Sequence, residues 1–276
     1  MFLSTGRFLL IRLAESAPHG LTALPLPEIP HLAVWERTTG APQATVICVH
    51  GGLDRGGSFA RMARRMDRYR VIVYDRRGYQ QSRGRQPLSL DGHADDLRAL
   101  ADAVKSDQPT VVFGHSYGGV VALRSTEVGA NFDALVTYEP PLPWLVTRNG
   151  AFGDLNPDPG AEAESFFRRM VSNSAWERMS EAEQKSRRSD GPALHDDLST
   201  IRNTTAAVTW AAVTTPWTYG HGDAADRLEY YESVATRLRH DVPTITTSKV
   251  THAGHGAHLS NPEAMVRLID YRLEQL

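Results

Sequence analysis

The stretch Gly114-His115-Ser116-Tyr117-Gly118 most constrains how this chain folds, because it follows the apolar run Thr110-Val111-Val112-Phe113 and leads into residues compatible with a helix. A serine on a sharp turn between strand and helix needs small neighbours, so that adjoining backbone approaches without a Cβ clash. Gly114, Gly118 and Gly119 meet that need. G-x-S-x-G by itself is a short pattern in a chain with 22 glycines among 276 residues. Its weight comes from its place between a strand and a helix and from the partners found elsewhere.

From about residue 32 short β-branched runs alternate with amphipathic stretches, the form of a mostly parallel sheet with crossover helices. The runs at 32–37, 45–49, 70–74, 109–113, 133–138, 213–219 and 243–248 are expected to be strands. Helical spacing marks 58–68, 91–105, 117–129, 226–240 and 262–275. In the first of these Phe59, Met62, Ala63 and Met66 form one face, and Arg61, Arg64, Arg65 and Arg68 occupy the rest. The last has Asn261 to cap it, Pro262 at its first position and Glu263 at the positive end of its dipole.

The alternation breaks after Glu139. A proline- and glycine-rich segment is followed by charged helical stretches with no strand of comparable strength. Residues 140–211 therefore read as an inserted helical cap, and 1–139 with 212–276 as the α/β core. Trp144, Phe166, Phe167 and Met170 of the cap, with Leu53 of the core, are candidates to touch a ligand. Phe152 and Trp176 share that aromatic character, although most such residues at helical spacing fill a cap's own core. The first thirty residues read as an extended strand or arm laid on the domain.

With 41% hydrophobic and 22% charged residues the composition is that of an ordinary globular protein. A net charge of −2 speaks against general nucleic-acid binding. The single cysteine, Cys48, excludes an intramolecular disulfide and sits in an apolar run where a buried thiol is expected. Phe8-Leu9-Leu10-Ile11 is too short for a signal-peptide core, and no run approaches the length of a membrane span. The expected address is cytoplasmic.

A serine hydroxyl is unreactive until a base takes its proton, and the base needs a carboxylate to fix its tautomer. Ala253-Gly254-His255-Gly256 places a histidine in a glycine-flanked loop between the last strand and the last helix, so His255 is the expected base, ahead of His252 and His258. Asp223, closing Gly220-His221-Gly222-Asp223, is the first choice for the carboxylate. Glu139, at the end of the strand 133–138, is the alternative, while Asp226 reads as a helix cap. An oxyanion needs two preorganised donors. Tyr117 offers its backbone N–H, and Gly52 in His50-Gly51-Gly52-Leu53 offers the second. His50 is expected to pack and hydrogen-bond within that loop.

His50-Gly51-Gly52, Asp75-Arg76-Arg77-Gly78-Tyr79-Gln80-Gln81-Ser82, the elbow at Gly114 to Gly119, Gly220-His221-Gly222-Asp223 and Gly254-His255 occur in an order that resembles the α/β-hydrolase-fold enzymes. The resemblance spans residues 32–276 except the cap. It implies an eight-stranded, mostly parallel sheet with flanking helices, a serine-aspartate-histidine triad and no cofactor. One departure is visible: the family often has glycine where Gln80 stands. Glu139-Pro140-Pro141 at the entry to the cap is similar to uncharacterised bacterial members and carries no defined substrate.

The expected reaction is hydrolysis of a carboxylic ester of a small molecule through an acyl-enzyme on Ser116. Thioester, lactone, amide and carbon–carbon bonds are rivals, since the same machinery serves all of them. A lyase or isomerase using the triad for proton transfer, and a non-catalytic ligand-binding member, remain as alternatives. No metal is expected: His252-x-x-His255-x-x-His258 has metal-like spacing but no acidic or cysteine cluster, and His255 is needed by the triad. Residues 51–85 hold ten arginines against Asp54, Asp67 and Asp75. Such a run usually forms a solvated helix face, and it could also dock an acidic carrier protein or a coenzyme A thioester.

Overall fold

In the computed structural model, residues 17–83, 89–146, 154–203, 208–223 and 228–276 are described. Phe152 and Asp226 lie outside them. Eight strands form one sheet in the order β1-β2-β4-β3-β5-β6-β7-β8. They are β1 (Thr22–Ala23), β2 (Ala33–Arg37), β3 (Ala44–Val49), β4 (Tyr69–Asp75), β5 (Thr110–His115), β6 (Ala134–Tyr138), β7 (Trp217–Gly222) and β8 (Thr246–Val250). β2 runs antiparallel to β1 and β4, and every other pairing is parallel. Of the expected N-terminal arm, residues 1–16 lie outside the described residues, and the described part supplies the short edge strand β1.

The central strands are apolar along their whole length because both faces are covered. Ile47 and Val49 point into one core with Leu97 and Leu100 of α2 (Leu90–Val104, after the short α1, Ala60–Ala63) and Val120 of α3 (Tyr117–Glu127). Val46 and Cys48 point into the other with Phe59, Met62 and, from the C-terminal helix, Met265 and Ile269. Burial pushes the Cys48 thiol far up, so it is an inert packing group.

Between β6 and β7 lie four helices: α4 (Pro159–Met170), α5 (Asn173–Glu177), α6 (Glu181–Ser189) and α7 (Gly191–Asn203). After β7 come α8 (Leu228–Asp241), α9 (Ala257–Ser260) and α10 (Pro262–Leu273). The inserted helices have their own core of Ala163, Phe167, Trp176, Leu194 and Leu198, and it closes on Leu53 of the loop after β3.

Three expectations shift in the structure. The helix expected over 58–68 is reduced to a 3-10 turn, Gly56–Phe59, and α1, because the chain must turn back to enter β4 at Tyr69. Its apolar face is nonetheless buried as read. The seventh strand begins at Trp217 rather than 213, since Pro216 lacks a ladder donor, and it runs on through Gly222. The last strand begins three residues late, at Thr246, after the turn in which the Ile245 N–H donates to Val242 O at 3.0 Å. Among the described residues no helix is long and apolar enough to cross a membrane.

Candidate active site

Ser116 sits between β5 and α3 at φ 53, ψ −126, a conformation rarely held by a side-chain-bearing residue. Its N–H donates to Tyr138 O at 2.9 Å, which prolongs the β5–β6 ladder by one residue and anchors the turn to the sheet. The flanking glycines are steric necessities: a Cβ on Gly118 would lie 2.2 Å from Val49 O, and one on Gly114 would lie 2.6 Å from Gly119 Cα.

The neighbouring strand ends in the same way. Glu139 follows β6 at φ 48 and is fully buried, with its N–H donating to Gly220 O at 2.9 Å. Its carboxylate is held from two sides. Oε1 accepts from the Gly222 N–H at 2.9 Å, and Oε2 lies 2.7 Å from His255 Nδ1. A buried carboxylate needs such partners, and these fix both the carboxylate and the imidazole. With Nδ1 engaged, Nε2 is the nitrogen left to His255 for other work. No hydrogen bond joins Ser116 Oγ to His255 among the described residues. The ring of Tyr231 stacks on His255 at 6.4 Å.

Asp223, the sequence's first choice for the carboxylate, is not the partner of His255. The Asp223 N–H donates to Val250 O at 3.1 Å, and the hydrogen bonds of His255 Nδ1 run to Glu139 and, at 3.4 Å, to Tyr231 Oη. The physical reason lies in the exit of β6: its positive φ turns the Glu139 side chain back beneath His255, and the Gly222 N–H at the end of β7 becomes a support for that carboxylate. The alternative acid, Glu139, is therefore the one brought to the base.

Tyr117 opens α3, where the first N–H groups lack intrahelical acceptors, and no described acceptor takes the Gly52 N–H. The loop carrying Gly52 is tied down by buried hydrogen bonds. Fully buried His50 bonds Gly51 O through Nδ1 at 2.8 Å and accepts the Arg76 N–H on Nε2 at 2.9 Å. Burial and the Arg76 charge hold its pKa down to about 3. Burial also holds His93 and His115 well below the usual imidazole range, with Arg76 adding to the effect at His93 and His258 and His255 at His115.

A family model described as the alpha/beta hydrolase family matches residues 46–268. The chain belongs to that family. The human monoglyceride lipase is 28% identical over 145 residues, covering 46% of this chain and 48% of that protein. Lipase LipV of Mycobacterium tuberculosis is 34% identical over 81 residues, covering 29% of this chain and 31% of its own. The matches thus span less than half the length of these curated relatives. The N-formylmaleamic acid deformylase of Pseudomonas putida S16 superposes with a TM-score of 0.69 at 20% identity, over 90% of this chain and 99% of that one, a likeness of fold.

In this α/β hydrolase the inserted helices stand over the Gly52 loop. A Cβ on Gly52 would lie 3.1 Å from Leu194 Cδ1 and 3.9 Å from Phe166 Cζ, so Phe166 and Leu53 of the expected ligand contacts are at the site. Phe167 is instead turned into the insertion's core against Trp176, ring centroids 5.5 Å apart. Trp144 packs on the main core, and Met170 is half-buried on α4.

Asp197 on α7, which no sequence pattern marks, is buried beside this loop. Arg76, itself fully buried, pairs with it at 2.6 Å, and Tyr79 Oη donates to the same oxygen at 2.6 Å. Gln80, at the family's usual glycine position, keeps the positive φ that explains the glycine, at 41. Its N–H donates to Asp190 Oδ1 at 3.0 Å and its amide to Asp190 Oδ2, so the departure ties the turn to the insertion. Most of the described arginines of the basic run are tied within the chain. Arg61 donates to Leu259 O, Arg64 to His19 O and Arg65 to Glu263, although all three are exposed.

Proposed function

We propose that this α/β hydrolase cleaves a small-molecule carboxylic ester by a serine mechanism, with Ser116 as nucleophile, His255 as base and Glu139 as orienting carboxylate. The observation that carries the reading is the 2.7 Å pair of His255 Nδ1 with fully buried Glu139, set beside a serine on a strained elbow. Ser116 Oγ attacks the carbonyl carbon as His255 Nε2 takes its proton, and Glu139 stabilises the imidazolium that results. The N–H groups of Gly52 and Tyr117 receive the oxyanion. Nε2 then protonates the departing alcohol, and water repeats the sequence to release the acid.

Two features favour an ester with an apolar acyl group. The wall around Gly52 includes Leu53, Phe166 and Leu194 beside the paired carboxylate of Asp197, and two of the curated relatives are lipases. The four inserted helices act as the cap that gives the site this wall. Thioester, lactone or carbon–carbon cleavage would use the same atoms and differ in the group the cap admits.

The test is the intact mass of the protein after reaction with a fluorophosphonate, beside Ser116→Ala. A single adduct confined to the native chain is expected. An adduct that persists in Ser116→Ala, or none in a native chain that is folded, overturns the assignment. A panel of ester, thioester and lactone substrates of graded chain length then ranks the bond.

A further inference from the structure

Behind the elbow lies a second group of polar side chains that the mechanism does not use. Asp54 follows the Gly52 loop, His115 precedes Ser116, and His258 lies on α9, three residues past His255. One ligand-capable atom from each lies within 4.8 Å of the other two. We propose that Asp54, His115 and His258 bind a divalent cation of the zinc type.

The hydrogen bonds around the group favour this. His115 Nε2 lies 2.8 Å from His255 O, an atom that only accepts, so Nε2 carries the ring proton and Nδ1 holds a lone pair. Nδ1 is buried without a hydrogen-bond partner, and so are both ring nitrogens of His258. Leaving a buried polar atom unmatched is unfavourable, and each of the two rings has one nitrogen able to face the point it shares with Asp54. A ligating histidine typically donates its other nitrogen to a carbonyl, as His115 does. His258 Nε2 lies 3.2 Å from Asp54 Oδ2 without the alignment of a hydrogen bond. That separation matches the edge of roughly 3.3 Å between two ligands set tetrahedrally at zinc bond lengths. Ser58 Oγ lies within hydrogen-bond distance of the same carboxylate oxygen, at 3.0 Å, and of Arg55 O, at 2.8 Å.

Two imidazoles and one carboxylate suit zinc or cobalt better than calcium or magnesium, which prefer all-oxygen shells. Asp54 edges a cleft of about 450 Å³, which gives the ion a way in. Arg55 and Arg187 line that cleft as well, opposed by Asp75, and keep the affinity below that of a wholly anionic site. The ion would join the Gly52 loop, the elbow and the His255 loop. It takes no part in the reaction and acts on stability.

The experiment strips the intact protein with a chelator and measures binding of Zn²⁺ by equilibrium dialysis and of Co²⁺ by its visible absorption. One equivalent is expected, with a bathochromic, intensified Co²⁺ band and a raised unfolding temperature. Asp54→Asn and His258→Gln should each weaken binding by at least about a hundredfold, beyond the effect of losing an outer partner. His255→Ala and the exposed His240→Ala should keep it. Far-UV circular dichroism confirms that each variant is folded, and Asp54→Asn, isosteric and partly exposed, decides if His258→Gln is not. Absence of stoichiometric binding overturns the proposal. So does binding that survives Asp54→Asn, or binding lost with His255→Ala, which would place the ion on the triad.

Discussion

Glu139→Gln is the perturbation that most directly tests how the base is held. The substitution keeps shape and removes charge at a fully buried site. Glu139 now accepts twice, from the Gly222 N–H at 2.9 Å and from His255 Nδ1 at 2.7 Å. A glutamine has one accepting oxygen. If that oxygen stays on the Gly222 N–H, its NH₂ faces Nδ1, which must then be unprotonated, and the proton moves to Nε2 where it blocks the base. In the flipped orientation NH₂ and the Gly222 N–H face each other, two buried donors in conflict at about 1–3 kcal/mol. The lost charge adds to this, because an imidazolium 3–4 Å from a carboxylate is stabilised by about 4–6 kcal/mol at an effective dielectric of 20. At 1.36 kcal/mol per decade that is a loss of about three to four powers of ten in kcat. The assay is steady-state hydrolysis of a chromogenic ester, with circular dichroism to confirm folding. Asp223→Asn should cost less than about tenfold, since no hydrogen bond of His255 runs to Asp223. A loss of a thousandfold or more in Asp223→Asn beside a mild one in Glu139→Gln would falsify the arrangement.

Other expected outcomes concern stability and the insertion. Gly118→Ala places a methyl 2.2 Å from Val49 O, which the central sheet cannot yield, so soluble expression or the thermal midpoint should fall sharply; a native-like midpoint would refute the steric account. Asp190→Ala removes the acceptor for Gln80 and Arg83 from a fully buried site. It should lower stability by about 3 kcal/mol in urea unfolding and raise KM more than it lowers kcat, whereas unchanged stability would show the tie to be idle. Acid should destabilise the fold through His50: its folded pKa of about 3 lies below the ordinary 6.5, so its contribution is full above pH 6.5 and is lost as pH falls. Between pH 7 and 4.5 that is about 3 kcal/mol, opposed by about 2 kcal/mol from Asp75, which burial pushes up to about 6 so that it favours the folded state as it protonates. Asp75→Asn should therefore steepen the acid loss seen by urea unfolding, and an unchanged slope would contradict the assignment.

Much of the candidate site was legible because its parts are local. Ser116 is announced by glycines within two residues and by the apolar strand before it, and His255 by glycines on both sides. The alternation of Val46, Ile47, Cys48 and Val49 between two cores needs only the period of a strand. What escaped are relations across long stretches of chain. Glu139 reaches His255 over 116 residues, and its selection over Asp223 depends on one positive φ that no local pattern records. Arg76 meets Asp197 over 121 residues, and neither the burial of the arginine nor that of its partner shows in a charged, helix-compatible sequence. Gln80 was visible as a departure, but its meaning lay in Asp190, 110 residues on.

Five described residues other than glycine hold a positive φ: Leu53, Gln80, Ser116, Glu139 and His252. All five stand in the segments that follow strand ends, Gln80 opening a 3-10 turn, on the side of the sheet where the proposed chemistry occurs. Among them, Glu139 has a consequence for how such a protein can diverge. The carboxylate that pairs with His255 is also the last residue before the Pro140-Pro141 doorway to the insertion, so exchanging that insertion by recombination would put the proposed orienting residue at the crossover point. The exit of β7, relieved of that duty, is the safer place for nature or an engineer to graft new loops and widen the range of molecules accepted.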